Sequence, residues 1–212
     1  MEKATRDYFD KRGEVLVKNL RKRHFEAYYC ATKEDALRQV LSLIPEGSSI
    51  GWGGAISAAQ VGVQAALTAG NYTTIDRDAV SDPAEKLRCM RACFDADYFI
   101  TGANAISLDG QMVNIDGNGN RVGMIVYGPK HIIVVAGMNK VCATVEDAVK
   151  RARTIAAPMN QQRFGLNNPC TCTGVCADCL SESSICNQIL ITRHCKPAGR
   201  IKFVLVGEEL GF

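Results

Sequence analysis

Residues 95–137 read DADYFITGANAISLDGQMVNIDGNGNRVGMIVYGPKHIIVVAG, and the two ends of this stretch set the fold class. DADYFITG (95–102) reads as a strand leading into the middle motif, and KHIIVVAG (130–137) is a continuous apolar run of strand length. Unbroken apolar strands of this kind belong to sheets buried on both faces, which are characteristically parallel. Between them, Asp109-Gly110 parts two short runs and signals a hairpin turn. A concentration of Asn, Asp and Gly follows, and then the apolar segment VGMIVYG.

Outward from this stretch, strand and helix signals alternate. Residues 2–23 read as a helix and HFEAYYCA (24–31) as a strand. Thr32, followed by Glu34 and Asp35, opens a helix that ends at Pro45 to Gly47, because a Thr cap and early acidic residues satisfy free amides and the dipole. SSIGW (48–52) is a strand, Ser57 begins a helix to about Leu67, and Asn71 to Ile75 is another strand. Asp82-Pro83, with Glu85 behind it, starts a further helix. Thr144 caps one that ends near Ala157-Pro158, and QILITR (188–193) and IKFVLVGE (201–208) read as the last two strands. The expected architecture is α/β, with a mainly parallel sheet flanked by helices. Residues 1–45 read as a helical and strand segment packed on the same domain as 46–212, with a Cys-rich excursion over 167–195.

Composition narrows the function classes. No run approaches the ~20 apolar residues of a membrane helix. The charged N-terminus lacks a secretory apolar core, which points to the cytoplasm. A net charge of +3 is too small to imply nucleic acid, and the basic run Lys18 to Arg23 reads as a solvated helix face. A homo-oligomer is compatible with this composition.

Two segments carry candidate ligand chemistry. Gly51, Gly53 and Gly54 join a strand to the helix at Ser57, a turn that brings backbone amides close to an anion or simply makes a tight connection. It is neither a Walker A loop nor a complete G-x-G-x-x-G fingerprint. Downstream, Gly102, Asn104, Asn114, Asp116, Asn118, Asn120 and Arg121 place short hydrogen-bonding groups beside one guanidinium, with Lys140 beyond the next strand. Turn propensity explains part of this density; the remainder suits a small polar anion. Of the acidic residues, Asp109 and Asp116 are the candidates for general-base work.

Ten cysteines in a chain without an export signal argue for buried thiols or metal ligands over a disulfide framework. Six of them fall between Cys170 and Cys195. A bound metal centre (iron–sulfur or zinc), a redox thiol cluster and buried structural thiols all fit this spacing. Cys89 and Cys93, four apart on one helix, read as small packing thiols.

The segment TGANAISLDGQMVNIDGNGNRVGMIVYGPKHIIVVAGMNKV, with EDAVKRARTIAAPMN and PCTCTGVCADCLSESSICN after it, resembles the lactate-utilisation (LUD) domain family over most of residues 45–212. Its middle more distantly resembles the sugar-phosphate isomerase and CoA-transferase superfamily, which implies a NagB/RpiA/CoA-transferase-like fold. The family resemblance implies oxidation of lactate or a similar organic acid beside redox or iron–sulfur partners, with a small anionic metabolite in the cleft. It also implies Cys170, Cys176, Cys179 and Cys186 as metal ligands. The sequence departs from the isomerases at Asn104, where several carry an acidic residue, and an amide is no general base. Nor does the middle motif contain a Glu to form a glutamyl-CoA intermediate. An isomerase or CoA-ester transferase, and a non-catalytic redox or regulatory metal-binding module, are the alternatives.

Overall fold

A computed structural model describes residues 2–212. In chain order the elements are α1 (Lys3–Lys22), β1 (Glu26–Cys30), α2 (Lys33–Ser42), β2 (Ser49–Gly53), α3 (Ile56–Val61), α4 (Val63–Ala69), β3 (Thr73–Ile75) and α5 (Pro83–Ala92). There follow β4 (Tyr98–Thr101), β5 (Ala105–Ser107), β6 (Met112–Asp116), α6 (Asn120–Tyr127), β7 (His131–Gly137), β8 (Val141–Cys142) and α7 (Val145–Arg151). The chain closes with α8 (Ala157–Phe164), α9 (Pro169–Thr173), β9 (Gln188–Thr192) and β10 (Ile201–Val206).

Six strands form one sheet in the order β1-β10-β7-β4-β2-β3, with every pairing parallel. Alternation along the central strands explains why both faces must be covered. Ile132, Val134, Phe203 and Leu205 enter one apolar cluster with Leu16 and Leu20 of α1. Ile133, Val135, Val204 and Val206 enter another with Val40 of α2 and Leu67 of α4. A strand buried on both sides reads as an unbroken apolar run, which is what KHIIVVAG displays. β1 lies in the same sheet, paired in parallel with β10.

The helix starts follow from their caps. Thr32 Oγ1 accepts the Asp35 amide at 3.2 Å, and Asp82 Oδ2 accepts the Glu85 amide at 3.0 Å. Thr144 and Asp147 bond reciprocally in a capping box.

Three features depart from expectation. The helix expected from Ser57 begins at Ile56 and is broken at Gly62, whose φ of +90° belongs to the left-handed region. The helix from Thr144 does not stop at Pro158. A π-turn over Ala152–Ala156 precedes it, so the proline stands in the first turn of α8, where its missing N–H is tolerated. Finally, β8-β5-β6-β9 make a second, mixed sheet. Its centre is the hairpin turned at Asp109-Gly110, with β6 antiparallel to both β5 and β9. Helix α7 covers one side, where Ala148 packs on Ala105, Val113 and Ile115.

Candidate functional site

A cavity of about 500 Å³ opens where β2 and β4 end and where the chain leaves β7, the edge at which open α/β sheets take ligands. Gly54, Asn104 and Lys140 reach it from those three strand ends, and Arg121 from the start of α6. A second wall comes from the Cys-rich excursion and the helix before it, through Arg163, Phe164 and the run Glu182 to Ile185 with Asn187.

Arg121 is 7% exposed and held from several directions. Its Nη2 donates to Asn104 Oδ1 at 2.9 Å and to the Ile115 carbonyl. Nε lies 3.6 Å from Asp116 Oδ1 without a hydrogen bond. Nη1 has no hydrogen-bond acceptor among the described residues, which leaves one edge of the guanidinium for a ligand. Gly54 makes room for it: at φ +59°, a Cβ there would lie 2.8 Å from both Cδ and Nη1 of Arg121. Burial lowers the proton affinity of the guanidinium, and Asp116 opposes that effect.

Asn104 is similarly occupied on one side only. Its Oδ1 accepts from Ile115 N and from Arg121, both at 2.9 Å. Its backbone carbonyl accepts Arg151 Nη1 at 2.6 Å. The Nδ2 donors of Asn104 remain for the cavity.

Lys140 is 4% exposed and pairs with no carboxylate among the described residues. Its Nζ donates to Ser57 Oγ at 3.1 Å and to the Ala103 carbonyl at 3.0 Å. Burial, reinforced by the guanidiniums of Arg151 and Arg121, pushes its pKa down to about 7.

Most of the residues singled out in the sequence converge here, in two layers. Gly54, Asn104, Asp116, Asn118, Asn120, Arg121 and Lys140 line the cavity. Ser57, Gly102 and Asn114 stand behind them: Ser57 holds Lys140, and Asn114 Nδ2 donates to the Gly102 carbonyl at 3.0 Å. Gly51 and Gly53 serve packing instead, since a Cβ on the first would strike Cys93 and on the second would press on Phe99. Cys93 is buried accordingly. Trp52 belongs to the core with Ile50 and Ile100.

The two aspartates part company. Asp116 Oδ2 accepts the backbone amides of Arg121 and Val122 at 2.9 and 3.2 Å, so it ties down the first turn of α6. Asp109 is not among the cavity residues. It caps the β5–β6 turn, bonded to Ser107, Gln111 and Arg23. Burial works to raise its carboxyl, but those three partners outweigh it and hold it below the usual range.

Sequence reading did not single out Arg77, Lys86, Arg163 or Phe212, which also line the cavity. No local signal marks them, because tertiary packing alone brings them there. In total five basic and three acidic residues face the space, and two of the acids lie near arginines, Asp116 by Arg121 and Asp78 by Arg77. The cavity is therefore electropositive.

The cysteines also divide. Cys195 is buried in the core, its Sγ 3.1 Å from the Pro197 carbonyl, and Cys172 is exposed beside Asn167. Cys170, Cys176, Cys179 and Cys186 are free thiols near one another: burial raises Cys186, and so do its neighbours Cys176, Cys170 and Cys179. No three or more His, Cys, Asp or Glu side chains among the described residues converge on a single ion position. As a donor set, four neighbouring thiols are suited to soft metals. Cys186 stands directly between Ile185 and Asn187 of the cavity wall. Asn187 fastens that wall to the cavity floor, donating from Nδ2 to the Gly117 carbonyl at 3.0 Å and from its amide to the Asp116 carbonyl at 3.1 Å.

Fold and cavity together define an α/β protein with an electropositive cavity at the carboxyl edge of a parallel sheet. The LUD domain family matches residues 13–206, and the chain belongs to that family, which is associated with lactate utilisation. A DUF162 family protein from Deinococcus radiodurans, known from a crystal structure at 1.70 Å resolution, is similar with 11% identity and a TM-score of 0.49, over 95% of this chain and 97% of that one. No curated protein matches the sequence. No helix among the described residues is long and apolar enough to cross a membrane.

Proposed function

We propose that the protein binds a small organic acid of the lactate class in this cavity and acts in its oxidation beside redox partners. The observation that carries the reading is a buried guanidinium, Arg121 with a free Nη1 edge, on the same cavity as the buried amine of Lys140, which has no carboxylate partner among the described residues. A carboxylate ligand supplies the missing negative charge, and Asn104 Nδ2 is placed to donate to a hydroxyl or carbonyl oxygen. At about 500 Å³ the space exceeds a three-carbon acid and accommodates a second reactant. Cys170, Cys176, Cys179 and Cys186 are proposed to hold a thiolate-bound metal, iron–sulfur or zinc; an iron–sulfur cluster would supply one-electron transfer.

Isomerase or CoA-transferase chemistry needs a carboxylate free to act as base or nucleophile. Asp109 lies outside the cavity and Asp116 is committed to α6 and Arg121, so binding of an organic acid is the better supported reading.

A ligand-dependent thermal-shift series tests it. Lactate or pyruvate should stabilise the protein by about 3 kcal/mol at a hundredfold excess over Kd. Stabilisation by phosphosugars or acyl-CoAs alone would favour the isomerase or transferase reading instead. Metal and sulfide analysis after anaerobic purification tests the cysteines.

A further inference from the structure

We propose that Lys140 is the reactive amine of the cavity, condensing reversibly with the keto group of a 2-oxo acid to form an imine. The inference rests on the organic-acid reading above and names the ligand class more narrowly.

Stereochemistry at Nζ is the first support. A neutral primary amine has two N–H bonds and one lone pair. Ser57 Oγ at 3.1 Å and the Ala103 carbonyl at 3.0 Å take two donors. With the Cε bond, these account for three of the four tetrahedral directions; no further hydrogen-bond partner of Nζ is found among the described residues, and Lys140 lines the cavity. The neutral form thus satisfies its donors within the protein and keeps its lone pair free.

The surroundings favour that neutral form. The side chain is 4% exposed, lacks a carboxylate partner and stands near two guanidiniums. Burial and neighbouring cations are the two means by which a lysine becomes nucleophilic near neutrality, and the pKa of about 7 agrees. Space is also kept open beside the amine. Gly211 has φ +60°, and a Cβ there would lie 3.0 Å from Nζ and 2.8 Å from Ser57 Oγ.

The reaction balances without a further reactant. The Nζ lone pair attacks the carbonyl carbon, the carbon–oxygen π bond opens, and a proton moves from nitrogen to oxygen to give the carbinolamine. Loss of water then leaves the carbon–nitrogen double bond, with no change of oxidation state. The carboxylate of the same ligand lies on Arg121 and offsets positive charge on a protonated imine.

The test is trapping on the whole chain. Protein is incubated with pyruvate at a pH of about 8, sodium borohydride is added to reduce any imine, and intact mass and peptide mapping follow. The expected result is one adduct per chain, on Lys140, absent with lactate and absent in Lys140→Arg and Lys140→Met. Its formation rate should rise through a pH of about 7, well below the range of surface lysines. Gly211→Ala, which keeps the lysine but crowds its Nζ and Ser57 Oγ, should slow trapping. Calorimetric binding of pyruvate without an adduct, or an adduct unchanged in Lys140→Arg, overturns the amine chemistry and leaves the organic-acid reading intact. Absence of an adduct together with absence of binding of both pyruvate and lactate overturns the two together.

Discussion

Asp116 meets Arg121 at two points: Oδ2 accepts the arginine's backbone amide at 2.9 Å, and Oδ1 lies 3.6 Å from its Nε as an ion pair. One carboxylate therefore fixes the first turn of α6 and balances the guanidinium that this turn delivers to the cavity. It is fastened to the protein in a way that makes it a positioning group for Arg121.

Removing it leaves a buried cation without its counter-charge. Asp116→Ala should lower stability by about 3–5 kcal/mol, the cost typical of breaking one side of a buried pair. Asp116→Asn should cost less, since its amide oxygen still accepts the two backbone bonds. Urea denaturation of both variants measures the difference, and equal losses would deny Asp116 its electrostatic role.

Gly54 is the second lever on the same guanidinium. Its φ of +59° and its closeness to Arg121 both resist a side chain. Gly54→Ala should cost about 1–2 kcal/mol from the left-handed backbone alone. It should also displace the arginine and weaken carboxylate binding. An unchanged ligand affinity would show that Arg121 does not need that space.

Lys140 sets a pH dependence. Its folded pKa is depressed to about 7, whereas in the unfolded chain it lies near the usual value for lysine. Between those values the unfolded chain binds more protons, so stability rises with pH across that window. The burial cost is felt in full below about 7. Relative to Lys140→Met, the wild type should gain up to about 1.4 kcal/mol per pH unit between roughly 7 and 10. Denaturation of the two proteins across this range reads the slope; parallel curves would contradict it.

The four neighbouring thiols predict a linked loss. Cys186→Ser should reduce bound metal after anaerobic purification and weaken ligand binding together, because Cys186 lies between two cavity residues. Cys195→Ser should leave metal content unchanged and reduce stability instead, since that thiol is 1% exposed in the core.

The parallel sheet was legible because β7 and β10 are central strands, and burial on both faces forces unbroken apolar runs. The hairpin was legible because Asp109-Gly110 has the chemistry of a tight turn. The second sheet was not: β5 and β8 span three and two residues, too few for any periodicity to register. Asp109 and Asp116 show the limit at the site. Each precedes a glycine, and nothing local reveals that one caps a turn against Arg23 while the other borders the cavity. Likewise the ESSICN run carries no sign that it folds back onto Gly117; only the tertiary contacts of Ile185 and Asn187 make it a wall.

The most direct measurement is calorimetric titration of pyruvate and lactate into the wild type and Arg121→Met, with circular dichroism confirming that both are folded. Saturable one-site binding to the wild type is expected. It should weaken about tenfold or more in the variant, as loss of a charge-assisted hydrogen bond of about 1.5–3 kcal/mol requires. Equal affinity in the two proteins, or no binding of either acid to the wild type, would contradict a carboxylate cavity centred on Arg121.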